Sequence, residues 1–134
     1  MNEESRRIPV TTDQDVVRVR QLVRTVSVEA KLSLVDQTKL VTAASELARN
    51  TLVYGGGGEV EVSRVRNDLR AGIRIVFSDQ GPGIADLDLA LTDGYTTGGG
   101  LGLGLSGARR LVDEFSIETA VGEGTTITVT KWCR

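Results

Sequence analysis

The chain has 134 residues, 40% of them hydrophobic, so it is long enough to bury a core, and one domain spanning 1–134 is expected. Its net charge of −2 and 4% aromatic content exclude a dedicated nucleic-acid surface, which needs a basic face and stacking rings. The absence of histidine excludes histidine acid–base chemistry, histidine metal sites and a phospho-acceptor histidine on this chain.

A lone cysteine, Cys133, rules out an internal disulfide and points to a reducing cytoplasm. The N-terminal stretch 1–7 has no apolar signal region and no run approaches membrane-spanning length, so no membrane partner is expected. Arg6-Arg7, Arg18-Arg20-Arg24 and Arg64-Arg66-Arg70 are interleaved with acids and read as solvated or protein-contact faces.

Arg7-Ile8-Pro9-Val10 suits a short edge strand, where proline is tolerated. Thr12 or Asp13 then caps a first helix to about Ala30, because Val16, Val19, Val23, Val26 and Ala30 form one apolar stripe. Leu32-Ser33-Leu34 is the connection. Ser33, with Asp36 three residues on, resembles a capping box and starts a second helix ending near Val53. Its apolar face is Leu40, Ala43, Ala44, Leu47, Ala48 and Leu52; Glu46 and Asn50 stack one turn apart on another face, with Thr42 in their row. A carboxylate and a carboxamide so placed suit a general base and a metal ligand.

Gly55–Gly58 turns the chain into Glu59–Val65, an alternating half-buried strand. The link 66–72 leads to Ile73–Phe77, a more apolar and therefore central partner, which runs into Asp79-Gln80-Gly81-Pro82-Gly83. A short helix is expected over Ala85–Leu91, then the loop Thr92–Gly98. The strands Ser116–Val121 and Thr125–Thr130, turned at Gly122-Glu123-Gly124, close the chain. The order β-α-α-β-β-α-β-β gives an α+β sandwich, a mixed, mostly antiparallel sheet with helices on one face.

Between these parts lies Gly98-Gly99-Gly100-Leu101-Gly102-Leu103-Gly104, feeding a helix that carries Leu105, Ala108, Leu111 and Val112. Glycine adds nothing to a core but lets backbone N–H groups close around an anion. Gly102-x-Gly104-x-x-Gly107 copies the dinucleotide fingerprint, yet no buried strand precedes it; a Walker loop needs a Gly-Lys pair, and there is none.

Four pieces in this order, Glu46-x-x-x-Asn50, Asp79-x-Gly81-x-Gly83, the 98–107 loop and Gly122-x-Gly124-Thr125-Thr126, resemble the N, G1, G2 and G3 boxes of the GHKL ATPase superfamily, the Bergerat fold. Gyrase-, MutL- and Hsp90-type members resemble the chain only as one domain beside a transducer. Sensor histidine kinases need a helix bearing the acceptor histidine. The stretches 46–50, 79–84, 93–97 and Thr130-Lys131-Trp132 look most like the anti-sigma-factor serine/threonine kinases, in particular the switch kinases of the stressosome.

The resemblance implies ATP and Mg²⁺ as cofactors. It implies that Asp79 accepts from the adenine amino group, directly and through a water shared with Thr125 or Thr126, while Gly81 and Gly83 let the backbone approach the base. Asn50 is implied as the Mg²⁺ ligand, Gly100, Leu101, Gly102, Leu103 and Gly104 as the phosphate loop, and Thr96 and Thr97 as part of a lid. Glu46 is implied as the general base; Arg49 reaches either the γ-phosphate or a partner. The implied function is phosphorylation of STAS-domain proteins, with switching to a PP2C-type phosphatase or its regulatory domain. The alternative is a nucleotide-binding anti-sigma factor that sequesters a sigma factor. A hydrolytic domain of a larger machine is the least expected reading, because the chain ends two residues after Trp132.

Overall fold

The computed structural model describes residues 5–84 and 104–133. Their elements follow the order β1 (Ser5–Val10), α1 (Asp13–Glu29), α2 (Leu34–Val53), β2 (Gly58–Arg66), β3 (Ala71–Asp79), α3 (Gly104–Arg110), β4 (Glu114–Thr119) and β5 (Thr125–Trp132). The expected short helix over Ala85–Leu91 lies outside the described residues.

Thr12 is the cap of α1. Its hydroxyl accepts from Asp15 N at 3.3 Å and its own N–H donates to the Asp15 carboxylate at 3.1 Å, a closed capping box. Ser33 caps α2 by accepting from Asp36 N at 3.1 Å, but the Asp36 carboxylate goes elsewhere, to Lys131 Nζ at 3.5 Å. The valine stripe of α1 and the alanine–leucine face of α2 are buried, and the two helices pack on each other.

The sheet order is β1-β2-β3-β5-β4, with β3 central as its composition implies. Every pairing among the described strands is antiparallel, so the sheet described is not mixed. Register explains why helices cover one face. Val60, Phe77, Ile127 and Ile117 lie opposite one another across four strands, as do Val62, Ile75, Val129 and Phe115. Directly paired residues share a face, so these rows make one continuous apolar surface under the helices. The rows between them carry Glu61, Val76, Thr128 and Ser116, or Glu59, Ser78, Thr126 and Glu118.

β1, β2 and β3 each run one or two residues beyond their expected bounds, and three further elements also differ. β4 starts at Glu114 and stops at Thr119, because Ala120–Gly124 is consumed by a turn closed by Glu123 N to Ala120 O at 2.9 Å. β5 continues to Trp132, so Lys131 stands on the apolar face opposite Ile73. α3 stops at Arg110, and Leu111 and Val112 pack on the core beyond it.

Candidate functional site

Helix α2 supplies Glu46, Arg49 and Asn50. Leu47 and Ala48 anchor its inner face with no exposure, which leaves Glu46 and Asn50 half-buried on the flank and Arg49 exposed. α2 packs against α3, with Leu47, Leu105 and Ala108 in one core. That packing carries Glu46 Oε2 to within 3.3 Å of Gly104 N, 58 residues away in sequence, so the carboxylate accepts from the first amide of α3. The leading N–H groups of a helix have no partner within it, and its dipole favours an anion there. A carboxylate held by one long hydrogen bond keeps lone pairs with which to accept a further proton.

Asn50 lies one turn on. Its backbone oxygen accepts from Tyr54 N at 2.9 Å and Gly55 N at 3.2 Å, and Gly55 then lies against the Asp79 side chain so closely that a Cβ there would overlap the carboxyl. The end of α2 is thereby fitted to the end of β3. The 55–58 glycine run read as a turn; its first member is also the space that Asp79 occupies.

Asp79 is the last residue of β3, on the same face as Phe77 and Ile75. Its Oδ1 accepts from Gly81 N at 2.9 Å. Gly81 touches the Gly55 backbone. Gly83 has φ +78° and lies under Ala120 O, where a side chain has no room. Gly124, with φ +85°, is packed on the Asp79 carbonyl. Thr125 is directly opposite Asp79 across the β3–β5 pair and shares its face. Thr126 is opposite Ser78, on the other face. The two threonines that the sequence left equivalent are therefore geometrically distinct.

Thr119 belongs to none of the four sequence motifs, yet it joins this group. Its hydroxyl is 2.9 Å from the Thr125 hydroxyl, accepts from Ile84 N at 2.9 Å and lies 3.2 Å from Gly124 O. The hairpin turn at 122–124 was the available signal, since it places the residue before the turn beside the one after it. An open pocket at this end of the sheet is lined by Thr119, Gly124, Thr125 and Thr126 among others.

Two groups of sequence-identified residues are thus placed by the fold: Glu46 with Gly104, and Asp79 with Gly81, Gly83 and Thr125, joined through Asn50 and Gly55. Thr96, Thr97, Gly100, Leu101, Gly102 and Leu103 lie outside the described residues. Among the described residues no cluster of three or more acidic, cysteine or histidine side chains forms a metal site, and no helix is long and apolar enough to cross a membrane.

Residues 35–133 match the family described as histidine kinase-, DNA gyrase B-, and HSP90-like ATPase. The chain belongs to this family. As a GHKL ATPase-family member it is 45% identical over 134 residues, the full length of both chains, to the serine/threonine-protein kinase RsbT of Bacillus subtilis (strain 168). It is 30% identical over 116 residues to the anti-sigma F factor of Clostridium novyi (strain NT), covering 79% of this chain and 81% of that one. Among solved structures it is similar to the RsbU and RsbW domains of Rv1364c from Mycobacterium tuberculosis, with TM-score 0.64 and 21% identity, covering all of this chain and 33% of that one. It is also similar to the mycobacterial sensor histidine kinase MprB, with TM-score 0.57, 19% identity and 99% of both chains covered. These two likenesses establish the α+β GHKL fold that the four boxes implied.

Proposed function

We propose that the chain is an ATP- and Mg²⁺-dependent protein serine/threonine kinase of sigma-factor signalling, acting on STAS-domain proteins and switching to a PP2C-type phosphatase. The observation that carries this reading is the Glu46–Gly104 hydrogen bond, which sets an acid against the helix that follows the glycine loop. The full-length similarity to a protein named a serine/threonine-protein kinase supports it, and the relatives named anti-sigma F factors support a partner in sigma-factor regulation.

Asp79 and Thr125 bind the base from one end of the sheet, and the glycine loop of the sequence, Gly100, Leu101, Gly102 and Leu103, receives the phosphate oxygens. A carboxamide oxygen one turn from Glu46 fits Mg²⁺, a hard cation that takes few protein oxygens and completes its shell with phosphate and water. Asn50 would hold it, and when bound it would neutralise charge on the triphosphate. Glu46 accepts the proton of the incoming serine or threonine hydroxyl as that oxygen bonds to the γ-phosphorus and ADP departs. Positioning and charge stabilisation do most of the work in such a loose transition state, so the base need not generate a free alkoxide.

Incubation of the wild type with ATP, Mg²⁺ and a STAS-domain protein should add ~80 Da to that protein, the mass of one phosphate group. Glu46→Gln should abolish the increment while ATP affinity stays within about threefold, because the neutral amide keeps the shape and loses the basic oxygen. A Glu46→Gln variant that still transfers phosphate at near wild-type rate contradicts the assignment. Stable capture of a sigma factor with no mass gain on any STAS partner would favour sequestration.

A further inference from the structure

Thr119, on edge strand β4, has no part in the chemistry above, yet its hydroxyl touches three pieces of the base-binding end. Ile84 N lies just beyond Asp79-x-Gly81-x-Gly83, Gly124 O belongs to the glycine packed on Asp79, and the Thr125 hydroxyl stands beside Asp79. A hydroxyl has one proton to give and two lone pairs to receive. An amide N–H can only donate and a carbonyl oxygen can only accept. Thr119 Oγ1 therefore accepts from Ile84 N and gives its own proton to Gly124 O. Its remaining lone pair is left for Thr125, whose proton must point back at Thr119. That assignment satisfies every contact at once. The reverse, in which Thr119 donates to Thr125, gives up the Thr119 bond to the Gly124 oxygen.

With its proton committed to Thr119, Thr125 presents lone pairs only, and the carboxylate oxygens of Asp79 beside it are acceptors as well. The pair then forms a wall of acceptors. A purine edge carrying an exocyclic amine, or a water donating to it, meets that wall well; an edge carrying a carbonyl oxygen places acceptor against acceptor. We infer that Thr119 is a positioning residue for base selection: it locks Thr125 as a hydrogen-bond acceptor and thereby favours an amino-purine over an oxo-purine nucleotide. This inference rests on the kinase reading above and extends it to a residue that acts through another.

The test is the ratio of ATP to GTP affinity, measured by calorimetry with Mg²⁺ on the full chain. Thr119→Val keeps the β-branched shape but removes the relay, freeing the Thr125 hydroxyl to turn its proton outward and donate to a carbonyl. The ratio should fall about tenfold, the scale of one hydrogen bond gained or lost in the wrong sense. Thr119→Ser should keep the ratio within about twofold of wild type, and in a Thr125→Val background Thr119→Val should leave it unchanged, because the two residues act as one unit. A purely structural Thr119 would weaken ATP and GTP alike and leave the ratio where it was; that result overturns the inference. If Thr119→Val fails to fold, Thr119→Ala carries the same test. Selective ATP binding that Asp79→Asn abolishes, with a ratio indifferent to Thr119, would sink this inference alone. A wild type with no ATP binding would remove the kinase reading and this inference with it.

Discussion

Asp15 concentrates several hydrogen bonds on one carboxylate. Its Oδ2 accepts from Thr11 N at 2.9 Å, Thr12 N at 3.1 Å and Thr11 Oγ1 at 3.1 Å, and Arg18 stands 3.6 Å from Oδ1. The Thr11 amide, followed in effect by opposing burial and then by the other threonine contacts, holds its pKa below the ordinary 3.8. A carboxylate with a depressed folded-state pKa contributes stability that is complete above its unfolded value and is lost as pH falls through the folded one. Asp15→Asn should therefore lower the urea midpoint at pH 6. The gap to wild type should close as pH drops below about 4; a gap independent of pH down to 2.5 would contradict the assignment. Cys133 shows the opposite direction: burial pushes its thiol above the usual 9.0, Asp36 adds to the rise, Arg64 opposes it, and Sγ donates to Ala30 O at 3.1 Å.

Strand β5 poses the clearest question at the level of elements. Lys131 occupies a core-facing position and is 4% exposed, where the alternation of Ile127 and Val129 calls for another apolar residue. Its ammonium lies 3.5 Å from Asp36 at the start of α2 and 3.6 Å from Asp113 between α3 and β4. Asp113 also accepts from Trp132 N at 2.7 Å. One cation thus ties the helix bearing Glu46 to the segment that follows α3. Removing it leaves two shielded carboxylates side by side. Lys131→Met should cost about 2 kcal/mol, below the usual figure for a broken buried pair because both carboxylates retain some solvent, and lower Tm by roughly 6 °C. Thermal melts read this directly, and a shift under 1 °C would mean that the cluster is already neutralised by water.

Across the whole molecule, the parts legible in the sequence are those whose signal is local. The valine stripe, the 59–65 alternation and the acid–glycine spacings each lie within a short run of the chain, and the sheet, its helix layer and the Glu46 and Asp79 placements follow from them. What was not legible acts across elements. Lys131 breaks its strand's alternation because two acids from elsewhere balance it, and nothing nearby announces them. Gly55 looks like a helix stop until Asp79 is set against it. Thr125 separates from Thr126 only through the β3–β5 register. The proposed function requires these cross-element fits to build one magnesium-dependent ATP site. Calorimetry of ATP with and without Mg²⁺, on wild type and Asp79→Asn in parallel, tests it most directly. Magnesium-dependent binding to the wild type is expected, with a loss of about a hundredfold or more in the variant, since a charged acceptor to the base is removed. Equal binding by both proteins, or none by a well-folded wild type, would contradict it.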